Sequence, residues 1–392
     1  MKSVTDLDVK GKLVFLRVDF NVPLDEKGAI RDDTRIRASL PTIRYLLDHG
    51  ARLVIASHLG RPKGKVDPKM SLKPAAQRLA ELVPNNIIMA PDVVGEEVAR
   101  LKKALKPGEA LVLENVRFAK EEEANDPVFS QKLAQGIDVF VNDAFGSSHR
   151  AHASVVGIAA CVRVKAAGFL MMKEVEYLKK AVQSPEKPYV AILGGAKVSD
   201  KIEIIESLLN KADSVLIGGA MTYTFLKAQG YGVGKSLAED DQKDVALAIL
   251  SKAREKSVDF VLPVDHVVAA APKAGAATRI VSSLPLPADM MGVDIGPKTV
   301  EAYAKIIGEA RTIFWNGPMG IFEIDAFAAG TIGVAQAVAA SGAVSIVGGG
   351  DSVAAVKKAG VKDKISHIST GGGASLEYIA YDSLPGIDAL EK

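Results

Sequence analysis

Residues 12–18, KLVFLRV, form a short Val/Leu-rich run that stops at Asp19 and is followed by a longer amphipathic stretch. The same pattern returns at residues 52–57, 110–113 and 138–141, each run ending in Gly, Asp, Asn or Ser. Apolar runs that are continuous rather than alternating belong to strands covered on both faces. Strands separated by helices build right-handed βαβ units in a parallel sheet. The rhythm breaks and restarts at 189–193, 214–217, 259–262, 312–315 and 343–347, which predicts a second parallel sheet. The fold class is therefore α/β, with two doubly wound domains, each a parallel sheet flanked by helices. Between them, residues 169–183 (FLMMKEVEYLKKAVQ) place apolar positions at helical spacing and end in a Ser-Pro-Glu-Lys-Pro stop, which predicts a linker helix. The predicted boundaries are 1–168 for the first domain, 169–187 for the linker, 188–370 for the second domain and 371–392 for an apolar C-terminal segment that docks.

A chain of 392 residues is long enough for two cores. Its 48% apolar and 24% charged residues exclude disordered and fibrous classes. Forty-nine basic residues against 47 acidic ones leave a net charge of +2, so no global field draws the protein to nucleic acid or membrane. Any anion site must be local. Cys161 is the single cysteine, which excludes an intrachain disulfide and leaves no zinc-site spacing. With no apolar signal core in residues 1–10 and no run of membrane-span length, neither export nor insertion is expected. The expected compartment is the reducing cytoplasm.

Ligand contacts in open α/β folds come from the C-terminal ends of strands. Four predicted exits carry arginine: RVDFNVP (17–23), SHLGRP (57–62), LENVRF (113–118) and NDAFGSSHRAHA (142–153). Arg35 adds a fork from the entry of the next helix. Guanidinium forks pair with carboxylate or phosphate in bidentate fashion, so forks from separate loops would clamp a small, multiply charged anion. The candidate clamp is Arg35, Arg61, Arg117 and Arg150 with His58, and Asp19 and Asn21 serve as acceptors beside it. Taken singly, each is as readily an ordinary loop residue; four at equivalent positions favour a site. His149 and His152 read as loop histidines and stay outside the clamp. Arg17 is expected beneath the sheet edge, paired with a carboxylate.

In the second half, LGGAKVSDK (193–201) and VGGGDS (347–352) are glycine-rich loops after predicted strands, and TGGG (370–373) is a third. Backbone amides freed by glycine at a helix start bind phosphate. Neither strand loop has Walker A spacing and no GxGxxG follows the first strand, so a P-loop and a dinucleotide fold both lose support. Lys197 and Lys201, four apart, are read as sharing one face at a helix start, suited to a polyphosphate. Asp351 is either a Mg²⁺ ligand or the N-cap of a helix beginning at Ser352. Glu323, in WNGPMGIFE (315–323), is placed to accept ribose hydroxyls.

Together RVDFNVP, DDTRIRASLPTI, SHLGRP, NDAFGSSHRAHAS, GGAKVSDKI, WNGPMGIFE, GGGDS and STGGGASLE, in this order from residue 17 to 377, resemble the phosphoglycerate kinase family. That resemblance implies reversible phosphoryl transfer between ATP and the carboxylate of 3-phosphoglycerate, giving 1,3-bisphosphoglycerate and ADP, in glycolysis and gluconeogenesis. Mg²⁺ would accompany the nucleotide, with Asp351 as its ligand. The first domain would bind the triose acid through Asp19, Asn21, Arg35, His58, Leu59, Gly60, Arg61, Arg117 and Arg150. The second would bind nucleotide through Lys197, Lys201, Gly292, Glu323, Gly349, Gly350, Asp351 and Ser352. A monomer is implied, with small-molecule partners only and a C-terminal segment returning to the first domain. The stretch 161–165 departs from the family pattern, which bears on the hinge and not on the chemistry.

A carboxylate acceptor is already ionised at neutral pH and needs no general base. The remaining work is positioning and charge stabilisation, for which Arg35 and Lys197 are the leading candidates. The amides of Gly371, Gly372 and Gly373 would add further donors. Substrates held on different domains require closure, with the linker helix and Ser369-Thr370 as expected hinges.

Overall fold

The computed structural model describes all 392 residues as two compact units. The first comprises Met1–Glu176 with Ser383–Lys392, and the second Tyr177–Asp382. In the first, β1 (Leu13–Arg17), β2 (Arg52–Ala56), β3 (Ile87–Met89), β4 (Ala110–Val112), β5 (Val139–Asn142) and β6 (Val164–Ala167) form one parallel sheet. Its order is β3-β4-β2-β1-β5-β6. The central strands are continuous apolar runs because helices cover both faces. Every residue of β1 and β5 is buried, and Val14 pairs with Leu53 on one side and Val139 on the other. Helix Thr34–Asp48 returns the chain to β2 and buries Ile36, Leu40, Ile43 and Leu47, the i, i+4, i+7, i+11 stripe that defines an amphipathic helix.

The second unit repeats the plan with β7 (Tyr189–Leu193), β8 (Ser214–Ile217), β9 (Asp259–Val261), β13 (Thr312–Asn316), β14 (Val344–Gly348) and β15 (His367–Ile368). Their order is β15-β14-β13-β7-β8-β9. The expectation of two sheets falls one short. Strands β10 (His266–Ala269), β11 (Thr278–Val281) and β12 (Met291–Ile295) form a separate antiparallel sheet, ordered β11-β10-β12. β11 is mostly exposed, so it lacks the apolar run by which the other strands were read.

The divisions differ from those expected. The chain changes unit within helix Phe169–Val182, between Glu176 and Tyr177, rather than at either end of a separate linker. Of the segment 371–392, only Ser383–Lys392 lies in the first unit. Helix Gly373–Tyr381 stays in the second, burying Tyr378 and Ile379, and the Ser207 hydroxyl donates to the Ile379 carbonyl at 2.8 Å. Asp382, at φ +63°, then turns the chain. Helix Pro385–Glu391 returns to the first unit, where it buries Ile387 and Leu390 and the Gly386 N–H donates to the Ser148 carbonyl. The atypical stretch 161–165 enters β6, an edge strand whose residues Val164 and Lys165 are not buried. An edge strand has one free flank, so its sequence is less constrained than that of a central strand.

Candidate functional site

The four arginine-bearing exits follow β1, β2, β4 and β5, which are consecutive in the first sheet as β4-β2-β1-β5. Strand order reverses between β1 and β5, the kind of switch point where parallel sheets open a crevice. Sequence spacing alone does not show that these four strands are neighbours.

Asp19 leaves β1 and accepts from Arg35 Nη1 at 2.7 Å, while its other oxygen accepts the Asn21 N–H. Burial would raise this carboxyl, but the His58 ring when protonated, Arg35, Arg17 and the Asn21 N–H draw it below its usual range. Arg35 sits in the first turn of helix Thr34–Asp48 and is 39% exposed, the freest of the paired cations here. Asn21 is spent on structure, since its carbonyl oxygen accepts the Gly60 N–H at 2.9 Å. Gly60, at φ +61°, in turn offers its carbonyl to Arg117 Nη1 at 2.9 Å. Leu59 is locked at both backbone groups by the Asn115 side chain. The three loops are therefore stitched together before any ligand arrives. Arg61 and Arg150 are exposed.

His149 and His152, left outside the clamp, stand inside the cluster. Arg150 Nε donates to His149 Nε2 at 3.0 Å. Burial and the surrounding arginines push His58 down to about 3 and His152 to about 4, so both rings are neutral at physiological pH. Positive charge in this site comes from guanidinium groups alone. A cleft of about 1200 Å³ in this unit lies elsewhere, among Asp33, Arg37, Arg78 and Glu81, whose charges pair with one another. Size does not locate the chemistry here.

In the second unit the order reverses between β7 and β13. A cleft of about 350 Å³ opens there, lined by Gly195, Gly292, Glu323 and Asp351 among others. The glycines at its rim are needed for close backbone approach. A Cβ on Gly194 would lie 2.0 Å from the Pro318 carbonyl, one on Gly219 2.4 Å from that of Gly195, and one on Gly292 1.7 Å from the Tyr223 hydroxyl. β12 of the antiparallel sheet, which the sequence reading missed, supplies Gly292 and one wall of the cleft.

Lys197 and Lys201 do not share a helix face. Helix Ile202–Leu208 begins after both, with Lys201 as its N-cap and Lys197 exposed on the preceding turn. Glu239 causes this by accepting the N–H groups of Val198 and Ser199 and the Ser199 hydroxyl, which holds the turn open. Lys201 donates to Asn316 Oδ1, and Asn316 Nδ2 donates to the Gly348 carbonyl. Desolvation pushes Lys201 down to about 8, opposed by Asp200 and Asp351. Asn316 follows Trp315 in the WNGPMGIFE segment, and Glu239 carries no local sequence signal.

Asp351 is not an N-cap. Gly349, at φ +95°, caps helix Gly350–Lys358, and Asp351 lies exposed in its first turn. Ser352 Oγ accepts the Gly317 N–H at 2.6 Å and so ties two strand exits together. Glu323 is exposed at the cleft. Gly371 and Gly372 precede helix Gly373–Tyr381, with Gly372 as its N-cap at φ +53°. No three His, Cys, Asp or Glu side chains are grouped to hold a metal ion. The lone Asp351 carboxylate suits a hard cation that keeps most of its oxygen ligands from phosphate and water.

The phosphoglycerate kinase family profile matches residues 4–381. A phosphoglycerate kinase of Acidobacterium capsulatum is 59% identical over 397 residues, covering 99% of this chain and 98% of that one. One from Anaeromyxobacter sp. (strain Fw109-5) is 57% identical over 393 residues, covering 100% and 99%. Among solved structures, phosphoglycerate kinase from Coxiella burnetii aligns with a TM-score of 0.92 at 43% identity, covering 99% of this chain and 98% of that one. The Pyrococcus horikoshii enzyme aligns with a TM-score of 0.84 at 37% identity, covering 100% and 98%.

Proposed function

Because the chain belongs to the phosphoglycerate kinase family, and so catalyses reversible phosphoryl transfer between ATP and 3-phosphoglycerate in glycolysis, we propose that the first unit holds the triose acid and the second the nucleotide. The observation that carries this assignment is that arginine-bearing exits follow four adjacent strands, with Arg35, Arg17 and Arg117 gathered about Asp19 and His58. Only guanidinium groups supply positive charge there, and a small acid bearing both carboxylate and phosphate satisfies several forks at once.

The acceptor carboxylate is ionised at neutral pH, so no side chain has to remove a proton. Arg35, aimed by Asp19 yet partly exposed, can exchange its internal carboxylate for the substrate's and stabilise the charge that spreads over the transferring group. Lys197, exposed on the β7 exit, approaches the same group from the nucleotide side. Lys201, Gly349, Gly350 and Ser352 frame the polyphosphate, with helix N-termini at Gly350 and Gly373 adding amide donors. Glu323 and Gly292 belong to the nucleoside end of the cleft. Asp351 would hold Mg²⁺, which when bound neutralises charge on the phosphate oxygens.

Reacting oxygens and phosphorus must come within about 3–3.5 Å, so a donor on one unit and an acceptor on the other demand closure during turnover. Each half-site is complete within one chain, which supports a monomer. The exposed, unpaired Cys161 supports the cytoplasm.

Steady-state kinetics on Arg35→Ala tests the assignment: kcat falls about 10³-fold, about 4 kcal/mol of barrier, with little change in ADP affinity. Arg35→Lys does not restore it, since one ammonium cannot replace a fork. A kcat within a few-fold of wild type rejects the role.

A further inference from the structure

Beneath the arginine cluster runs a buried chain of hydrogen bonds that the transfer chemistry leaves unused. Arg17 ends β1 and is 1% exposed. Its Nε donates to Ser154 Oγ at 2.9 Å, Nη1 donates to the Val18 carbonyl, and Nη2 lies 3.3 Å from His58 Nδ1. Ser154 lies in the π-helical turn Ala153–Gly157, a distortion that often marks functional sites. Its N–H and hydroxyl donate to the two oxygens of Glu122 at 2.8 and 2.6 Å. Glu122, on the short helix Lys120–Glu123, is fully buried.

Each link in this chain has a direction. The Ser154 hydroxyl has one proton and gives it to Glu122, so a lone pair faces Arg17 Nε. A guanidinium can only donate. The Arg17 contact therefore makes His58 Nδ1 an acceptor, and the neutral ring carries its proton on Nε2. With the proton on Nδ1, the ring would set N–H against N–H at Arg17 and turn a lone pair toward any anion on its other edge.

We propose that Glu122 and Ser154 are positioning residues which, through Arg17, hold His58 in the Nε2–H tautomer and so give the triose acid one aimed neutral donor. The proposal rests on the reading that the first unit holds that acid. It also accounts for Arg17 itself, a cation too buried to meet a ligand. The Glu122 carboxylate, with Asp19, balances the buried Arg17 guanidinium against nearby Arg117.

Nitrogen NMR of protein labelled with ¹⁵N-histidine reads the tautomer directly. In the wild type, His58 shows a protonated Nε2 and a bare Nδ1. Ser154→Ala mixes the two tautomers and raises KM for 3-phosphoglycerate about tenfold, with KM for ATP unchanged and kcat little altered. Ser154→Thr, which keeps the hydroxyl, restores both readouts, and Glu122→Gln moves them as Ser154→Ala does. Should Ser154→Ala fail to fold, Glu122→Gln and the wild-type spectrum still decide. A wild-type proton on Nδ1, an unmoved tautomer in the variants, or equal losses in both KM values overturn the proposal. Adding 3-phosphoglycerate to the wild type must shift the His58 resonances. If it does not, the reading of the first unit fails while the tautomer result stands.

Discussion

Replacing Gly219 by alanine puts a methyl group where two backbones already meet. Gly219 follows β8 at φ +67°, and its Cβ would lie 2.4 Å from the carbonyl oxygen and 2.5 Å from the nitrogen of Gly195. Ordinary contact begins at 3.4 Å, so relief requires a shift of 1.0 Å (3.4 minus 2.4). Both opposing atoms are main chain, and no rotamer change can absorb the shift. The left-handed backbone adds about 1 kcal/mol against alanine. Gly195 lines the cleft proposed for the nucleotide and leads into Lys197, and a 1 Å misplacement of a positioning element costs about 10²-fold in rate, or about 3 kcal/mol of barrier. Steady-state assays should show kcat/KM for ATP down about 10²-fold with KM for 3-phosphoglycerate unchanged. Gly230→Ala is the control, because Gly230 has φ +89° but nothing within 4 Å of its added methyl. It carries the backbone penalty without the displacement and should keep near wild-type kinetics. ATP constants for Gly219→Ala within about threefold of wild type, or equal damage in the control, would refute the reasoning.

Asp143 accepts the Met171 N–H, its other oxygen has no partner, and burial pushes its carboxyl from an ordinary 3.8 to about 7. The folded protein thus keeps a proton that the unfolded chain releases, and stability falls by about 4 kcal/mol as pH rises from about 4 to 7, then levels. Asp143→Asn removes that titration. Its advantage over wild type in urea unfolding should grow across that window, and parallel pH profiles would refute this. Lys201, pushed down to about 8, loses its charge as pH rises through that value, so ADP affinity should fall there. Lys201→Arg stays charged and should flatten the profile in calorimetric titrations, whereas superimposable profiles would exclude Lys201 as the titrating contact. Ile387 is buried in the returning C-terminal helix, and Ile387→Ala should destabilise the first unit by about 3 kcal/mol. Hydrogen exchange should quicken in β1 to β6 and not in β7 to β9; uniform or absent change would count against the docking.

Much of the site was legible because strand exits announce themselves. Arg61, Arg117 and Arg150 are candidates from the residue type that follows each apolar run, and Arg35 from the entry of the next helix. Arg17 was expected against a carboxylate, which is Glu122, reached through Ser154. His149 and His152 were passed over because a loop histidine has no period to betray its partner. Lys197 and Lys201 were read as one helical face because spacing of four is helical by default. The long-range grip of Glu239 on Val198 and Ser199 made that segment a turn instead.

Continuous apolar runs and their helical spacers determined two parallel α/β sheets, and the residues at the run ends marked the exits as candidate anion sites. Those are local properties, set by period and by side-chain chemistry within a few positions. Only the tertiary structure decided that β4, β2, β1 and β5 are neighbours, which brings four separate loops to one edge of the sheet. It alone decided that β12 walls the cleft of the second unit, that glycines there admit another backbone, and that the chain crosses back at Asp382. Such contacts join residues tens to hundreds of positions apart. Their energies depend on burial and direction, which no local pattern encodes.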